Sequence, residues 1–191
     1  MDEMIYKLIE KYKSIEEKKE YMEYIYDDIE ILKQTGIDLL TEVPILPALC
    51  ALMSARWAYI LNENYSIPAI VVAGDLKLFG NTIFSCNSNL PTDINSDTYI
   101  KDIWDGHCWI EINGIVADIS IFRTAGEQDE SHILNKYFSS SFGKNKGAFI
   151  AKRDHIPQEL EYIPKYILSN TQIEALNNGL KELIKKCKVK G

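Results

Sequence analysis

The sequence feature that most constrains the fold is an Asn-Gly pair between two apolar runs. Asn113 and Gly114 separate residues 107–112 from residues 115–118. Asn-Gly is the strongest short-range indication of a two-residue hairpin loop, because both central residues of a type I′ turn need a positive φ. The sequence therefore predicts an antiparallel hairpin within residues 104–122.

The predicted hairpin brings a histidine and a carboxylate together. A two-residue loop sets the cross-strand pairs, which are Ile112 with Ile115, Trp109 with Asp118 and His107 with Ser120. Side chains alternate between the faces of a strand, so His107 and Asp118 lie on one face, diagonal to each other. A carboxylate in that position can fix the tautomer of an imidazole. Trp109 and Glu111 share this face; Trp109 can shield the imidazole from water, whereas Glu111 is expected to be solvated.

A cysteine near the start of an apolar helix supplies the third group. Residues 48–61 are apolar on nearly all sides, which predicts a buried helix over about 47–64 with Cys50 in its first turn. A helix N-terminus and a nearby imidazole favour the thiolate form of a cysteine, and the backbone N–H of Cys50 is placed to donate to an oxyanion. Cys50, His107 and Asp118 are therefore a candidate catalytic triad. The alternative for each residue alone is a structural role, because free cysteines are often buried without reacting.

Hydrophobic periodicity predicts the elements around this centre. Residues 3–34 indicate two helices broken near Ser14, with Thr35-Gly36 as the stop, and the final helix opens at Thr171 in a capping box with Glu174. The other predicted elements are a strand at 67–74 ended by Gly74-Asp75, short strands at 82–86 and 148–150, an extended strand at 161–167 and a helix at 132–138. Residues 87–98 and 139–146 are predicted loops, and residues 123–131 are a polar segment.

Length, charge and cysteine spacing limit the class of protein. At 191 residues the chain is most simply one domain, with a helical N-terminal extension at 1–36 and the core and C-terminal helix at 37–191. The net charge of −7 argues against nucleic acid as a partner. The four cysteines lack metal-ligand spacing, so no metal or cofactor is expected. Without a signal peptide or an apolar stretch that could span a bilayer, the chain is expected to be cytoplasmic, with no membrane partner.

Three ordered segments resemble one family. They are Cys50-Ala51-Leu52-Met53-Ser54, Ile67-Pro68-Ala69 with Gly74, and Gly106-His107-Cys108-Trp109-Ile110-Glu111 followed by Gly114 and Asp118. Together they resemble the core of the transglutaminase-like superfamily, and their motifs are most similar to the leader-peptidase B proteins of lasso-peptide maturation. The resemblance implies an α+β, papain-like core, in which the Cys-bearing helix packs on an antiparallel sheet with extra N- and C-terminal helices.

The same resemblance implies a role for each site residue. Cys50 is the expected nucleophile, His107 the general base and acid, and Asp118 its orienting partner. Trp109 and Ser54 are candidate substrate-binding residues. The expected activity is cysteine-dependent acyl transfer on a peptide or a glutamine amide through a thioester, as in a peptidase, an amidohydrolase or a transglutaminase. The alternative is a binding module that has this fold without the chemistry. The sequence leaves the oligomeric state open.

Overall fold

The chain folds into an α+β structure with helices on both faces of a central sheet. This computed structural model describes residues 3–25, 29–88, 100, 106–143 and 147–189. The seven α-helices in these ranges are α1 (Glu3–Tyr12), α2 (Ile15–Glu23), α3 (Ile29–Glu42), α4 (Cys50–Tyr65), α5 (Ile121–Glu127), α6 (Ile133–Phe142) and α7 (Asn170–Val189). The six strands are β1 (Ile70–Leu78), β2 (Asn81–Phe84), β3 (His107–Ile112), β4 (Ile115–Asp118), β5 (Phe149–Lys152) and β6 (Leu160–Ile167).

The sheet is built around β1, and its strand pairs are antiparallel. One edge of β1 pairs with β3 and β2, and the other edge pairs with β6. The order β2-β1-β3-β4-β5 then continues through the hairpin. Gly74 of β1 lies opposite His107, the first residue of β3. The candidate histidine therefore lies at a strand end, in the middle of the sheet.

The predicted hairpin is confirmed. Asn113 and Gly114 have φ values of 34° and 88°, as a type I′ turn requires. The observed pairs are Ile112 with Ile115, Glu111 with Val116, and Ile110 with Ala117. The other predicted pairs, Trp109 with Asp118 and His107 with Ser120, lie beyond this ladder, because the chain leaves β4 at Asp118 and begins α5 at Ile121. The strands diverge there, and the side chains of His107 and Asp118 still meet.

Helices cover both faces of the sheet and bury two apolar clusters. The cluster with α3, α4 and α7 contains Leu39, Trp57, Leu61, Val71, Cys108, Ile110 and Leu180. The cluster on the other face, with α1, α2, α5 and α6, contains Ile5, Ile9, Tyr21, Val72, Trp109, Val116, Phe138 and Tyr162. The Cys-bearing helix therefore packs on the sheet as expected. The N-terminal helices divide between the two faces, so they are part of the core.

The predicted helix stop at Thr35-Gly36 is wrong, because both residues lie inside α3. The Thr35 hydroxyl accepts a hydrogen bond of 2.8 Å from the Trp57 indole. A Cβ added at Gly36 would lie 3.0 Å from the same indole ring. These residues are small so that α3 can approach Trp57 of α4 closely. The boundary suggested near residue 36 thus falls within a helix.

Several other predicted boundaries also move. The strand predicted to end at Gly74-Asp75 continues to Leu78, and α4 begins at Cys50, three residues later than expected. The polar segment after residue 122 contains part of α5, and α6 extends into the predicted loop. The last helix is capped two residues earlier than predicted, by Ser169 and Gln172, whose side chains each accept the other's backbone N–H. Residues 89–98 of the predicted loop and residues 104–105 of the predicted hairpin lie outside the described ranges.

None of the helices in the described part of the chain is long and apolar enough to cross a membrane.

Candidate active site

Cys50 is the first residue of α4 and lies at the end of an irregular approach segment, residues 43–49. Ala48 in this segment has a φ of 58°, which is uncommon for a residue with a side chain. Four residues further along α4, the Ser54 hydroxyl donates to the carbonyl of Cys108 at 3.0 Å. Four helical residues rise about 6 Å, so Cys50 lies about one turn from that anchor. Its thiol is within hydrogen-bonding reach of His107, the first residue of β3. The Cys50 side chain is half-buried.

His107 is buried between aromatic rings and bonded to Asp118. Its Nε2 lies 2.5 Å from Asp118 Oδ2. The Phe84 ring stacks on the imidazole at a centroid distance of 5.3 Å, and the Trp109 ring stacks at 6.3 Å. Only 1% of the His107 side chain is exposed to solvent. Because Asp118 takes Nε2, the ring nitrogen left for Cys50 is Nδ1.

Asp118 is held by hydrogen bonds to both of its oxygens. Oδ1 accepts from the Ser120 backbone N–H, the Ser120 hydroxyl and the Ile121 backbone N–H, each at 3.0 Å. Oδ2 accepts from the Tyr162 hydroxyl at 3.0 Å as well as from His107. Asp118 therefore caps the start of α5 with one oxygen and orients the imidazole with the other. A carboxylate bonded in this way cannot turn away from the ring without losing several bonds.

The charges at the site favour an imidazolium paired with a carboxylate. Burial lowers the pKa of His107, but the charge of Asp118 and its hydrogen bond outweigh burial and raise this pKa to about 10, and the Cys50 thiol within hydrogen-bonding reach adds to the rise. Burial raises the pKa of Asp118, and the charge and hydrogen bond of His107 reverse this effect and lower it. The ring thus holds a proton at neutral pH, and both predicted partners, Asp118 and Cys50, contribute to its raised pKa.

The structure brings the three predicted catalytic residues together and buries the two predicted substrate-binding residues. Trp109 and Ser54 are both fully buried. Trp109 packs beside His107, as expected for a residue that shields the ring from water, whereas Ser54 fastens α4 to β3. Their contact with substrate stays a prediction. What the structure gives both residues is a supporting position behind the thiol and the imidazole.

Glu111 is buried, and the prediction that it is solvated is wrong. Its side chain is 1% exposed and forms an ion pair with Arg153. The Trp109 indole donates to Glu111 Oε1 at 2.9 Å. Arg153 also donates to the carbonyl of Tyr162, at 3.4 Å. The pair joins β3 to the segment after β5, and through Trp109 and Tyr162 it supports both residues that flank the His107–Asp118 pair.

Two site residues were not identified from the sequence: Phe84, which stacks on the imidazole, and Tyr162, which donates to Asp118. Tyr162 is fully enclosed, and the pKa of its hydroxyl is raised by burial and by the charge of Asp118. The alternation of buried and exposed residues in β6 places Tyr162 inward. A buried tyrosine needs a partner for its hydroxyl. That requirement is the one indication of the role of Tyr162 that the sequence contains.

Arg123 holds the approach segment that leads to Cys50. It lies in α5, the helix that Asp118 caps, and its guanidinium donates to three carbonyls at the end of α3 and beyond. The distances are 2.5 Å to Leu40, 3.1 Å to Val43 from each terminal nitrogen and 3.3 Å to Pro44. A cation at a helix C-terminus also complements the helix dipole. The Arg123 side chain thus joins the start of the approach segment to the N-terminal end of α5, which Asp118 caps.

We expect Arg123→Met to slow alkylation of Cys50 by iodoacetamide about tenfold, since the bonds that hold the approach segment are charge-assisted. Added guanidinium ion at low concentration should restore part of the rate, and the pH profile of the rate should keep its shape because His107 and Asp118 stay in place. Lys136→Met, at an exposed position of α6, is the control. An unchanged rate in Arg123→Met would show that this clamp does not position the thiol.

The His107–Asp118 pair should make folding stability depend on pH. A raised pKa stabilises the fold fully below the unfolded value of 6.5, and this stability is lost as the pH rises towards 10. The lowered pKa of Asp118 stabilises the fold above the unfolded value of 3.8, and this contribution is lost as the pH falls further. Denaturant unfolding should therefore show the greatest stability between the two unfolded values, pH 3.8 and pH 6.5. The free energy of unfolding should fall by roughly 2–4 kcal/mol by pH 10. Asp118→Asn should flatten the alkaline limb; an equal slope in both proteins would contradict the assignment.

No family model, no curated protein and no solved structure matches this chain. The fold places the chain in the α+β class, with a cysteine-bearing helix packed on an antiparallel sheet.

Proposed function

We propose that this protein is a cysteine acyl-transfer enzyme that acts on a peptide or a glutamine amide through a thioester intermediate. The observation that carries the proposal is the position of His107, bonded to Asp118 on one side and within hydrogen-bonding reach of Cys50 on the other. This is the arrangement by which an imidazole activates a thiol. The resemblance to the transglutaminase-like superfamily and to leader-peptidase B proteins supports the same chemistry and a papain-like core.

The first half of the proposed reaction forms the acyl-enzyme. His107 is an imidazolium at neutral pH, and in the proposed ion pair the proton it holds is the one that Cys50 has given up. The Cys50 thiolate then attacks the carbonyl carbon of the substrate. The resulting oxyanion meets the backbone N–H of Cys50, because the first N–H groups of a helix have no partner within it. The imidazolium then protonates the leaving amine, the C–N bond breaks, and the acyl group remains on the sulfur as a thioester. Asp118 keeps the ring aligned and favours its charged form throughout.

The second half releases the acyl group. His107, now neutral, takes a proton from water or from an amine, which attacks the thioester carbonyl. When the C–S bond breaks, the sulfur leaves as a thiolate and His107 keeps the proton, which restores the starting ion pair. Water gives hydrolysis or deamidation, and an amine gives cross-linking, so the three outcomes share one intermediate. We also propose a cytoplasmic location, because a reducing compartment keeps Cys50 in its thiol form.

The proposal is tested by capturing the acyl-enzyme. With p-nitrophenyl acetate, the thiolate displaces p-nitrophenolate, and we expect a burst of about one equivalent per chain with the acetyl group on Cys50 by mass spectrometry. Cys187→Ala, which removes an exposed thiol, should keep the burst, and Cys50→Ala should abolish it. A folded wild-type protein without a burst, or with acetyl groups spread equally over its exposed thiols, would favour the alternative of a binding module.

A further inference from the structure

A second cysteine, Cys86, lies close to the start of β3, where His107 is. Strands β2 and β3 occupy successive parts of one edge of β1. Phe84 ends β2 and His107 begins β3, and their partners on β1 are two residues apart. Cys86 follows two residues after Phe84, and its backbone N–H donates to Asp75 Oδ1 in β1 at 2.8 Å. The chain is therefore held beside the candidate site as it leaves β2.

Cys86 lies on the same side of the sheet as Cys50. Phe84 packs against the apolar cluster that contains Trp109, whereas Cys86 packs against the other cluster, the one with α3, α4 and α7. The chain therefore crosses from one face of the sheet to the other between these two residues, beside the start of β3. Cys50 packs against the same cluster as Cys86, and its thiol is within hydrogen-bonding reach of His107 at the same strand end.

The thiol of Cys108, the second residue of β3, lies near both of these cysteines. Burial raises the pKa of this thiol, and negative charge on Cys50 and on Cys86 raises it further, which places both sulfurs in its surroundings. Cys108 is fully buried, whereas Cys50 and Cys86 are each half-buried. A thiol must be accessible and must ionise before it attacks another sulfur. The pair that meets both conditions at this strand end is Cys50 and Cys86.

We propose that Cys50 and Cys86 form a reversible disulfide when the protein meets hydrogen peroxide, and that this bond switches the nucleophile off. The inference rests on the proposed function, because it takes Cys50 to be the reactive thiolate, and Cys86 is then the resolving cysteine. Ser85 and Asn87 on either side of Cys86 are exposed, so Cys86 can approach Cys50 without displacing the core. In a reducing compartment such a bond is transient, as redox-sensing disulfides are.

The oxidation takes place in two steps. The Cys50 thiolate attacks one oxygen of the peroxide, an S–O bond forms, the O–O bond breaks, and the departing hydroxide takes up a proton and leaves as water. The Cys86 thiolate then attacks the sulfur of the resulting sulfenic acid, the S–S bond forms and the S–O bond breaks. The second hydroxide leaves as water with the proton that Cys86 has given up. The imidazolium of His107 favours the first step because it stabilises the attacking thiolate.

The test treats the reduced full chain with a small excess of hydrogen peroxide and maps its cysteines by mass spectrometry. We expect a pair of peptides joined through Cys50 and Cys86 and at least about a tenfold loss of alkylation of Cys50 by iodoacetamide. Dithiothreitol should restore the alkylation. Cys187→Ser, which removes the exposed thiol of α7, is the matched control and should oxidise and recover as the wild type does.

Cys86→Ser asks whether Cys86 is the resolving cysteine. This variant should keep the burst with p-nitrophenyl acetate, but its Cys50 should remain as a sulfenic acid, which dimedone traps. With more peroxide Cys50 should pass to the sulfinic acid, which dithiothreitol does not restore. The inference is overturned if Cys86→Ser oxidises and recovers as the wild type does, or if Cys50 of the wild type joins to Cys108 instead.

The outcomes separate this inference from the proposed function. If Cys50 forms an acetyl-enzyme but does not join to Cys86 under peroxide, the acyl-transfer proposal stands and the oxidation site is overturned. If the disulfide forms but no acetyl-enzyme does, the proposed function fails and the oxidation site stands without it.

Discussion

Asp118→Asn is expected to lower the rate at which iodoacetamide alkylates Cys50 at pH 7 by about a hundredfold. In the wild-type protein the charge of Asp118 keeps the buried imidazole protonated, with a pKa of about 10. Without that charge, the burial that lowers the pKa of His107 is opposed only by the smaller effect of Cys50. The ring therefore holds its proton less firmly and loses the carboxylate that fixes its orientation. The rate should be measured from pH 5 to pH 10 with the protein still folded by circular dichroism.

The matched control for this change is Asp154→Asn. Asp154 lies on the surface and its side chain is 79% exposed, so the same change of chemistry there should leave the rate of Cys50 within about twofold of wild type. If Asp118→Asn behaves like the control at every pH, Asp118 does not govern the imidazole. The hydrogen bonds that hold it would then serve only to cap α5.

Gly74→Ala is expected to destabilise the protein by about 3 kcal/mol or more. An added Cβ would lie 2.0 Å from the carbonyl oxygen of Ile163 in β6 and 2.8 Å from the Trp109 ring. Neither neighbour can give way cheaply, because one is backbone in a paired strand and the other packs against His107. The denaturation midpoint should fall, and the reactivity of Cys50 should fall with it, since Gly74 lies opposite His107.

Gly126→Ala provides the comparison for that change. A Cβ at Gly126 in α5 would meet no atom within 4 Å, and alanine favours a helix over glycine, so stability should rise or change by less than about 1 kcal/mol. If both variants unfold at the wild-type midpoint, the close approach of β6 to β1 at Gly74 is not as the structure has it.

The parts of the site that follow from local rules could be predicted from the sequence. The Asn113-Gly114 turn sets a register, and the register places His107 and Asp118 on one face, where they are bonded. Cys50 at the head of an apolar run likewise follows from helix periodicity. Each of these inferences depends on residues that lie close together along the chain.

The rest depends on contacts between distant segments. The sequence predicts a solvated Glu111 because its partner, Arg153, lies 42 residues later in the chain. Tyr162, which donates to Asp118, is likewise 44 residues away from it. From the sequence, Gly36 is predicted to end a helix and Gly74 to end a strand, because glycine often marks the end of such an element. In the structure each instead allows a neighbour to approach, and that neighbour is fixed only by tertiary packing.

The most direct test of the account is the rate at which iodoacetamide alkylates Cys50 in the wild type and in His107→Ala, read by mass spectrometry at each cysteine. Cys187 is exposed and serves as the internal reference within the same chain. We predict that Cys50 reacts at least about tenfold faster than Cys187 at pH 7, and that His107→Ala removes this advantage. Equal rates at the two thiols, unchanged by His107→Ala, would contradict a triad of Cys50, His107 and Asp118.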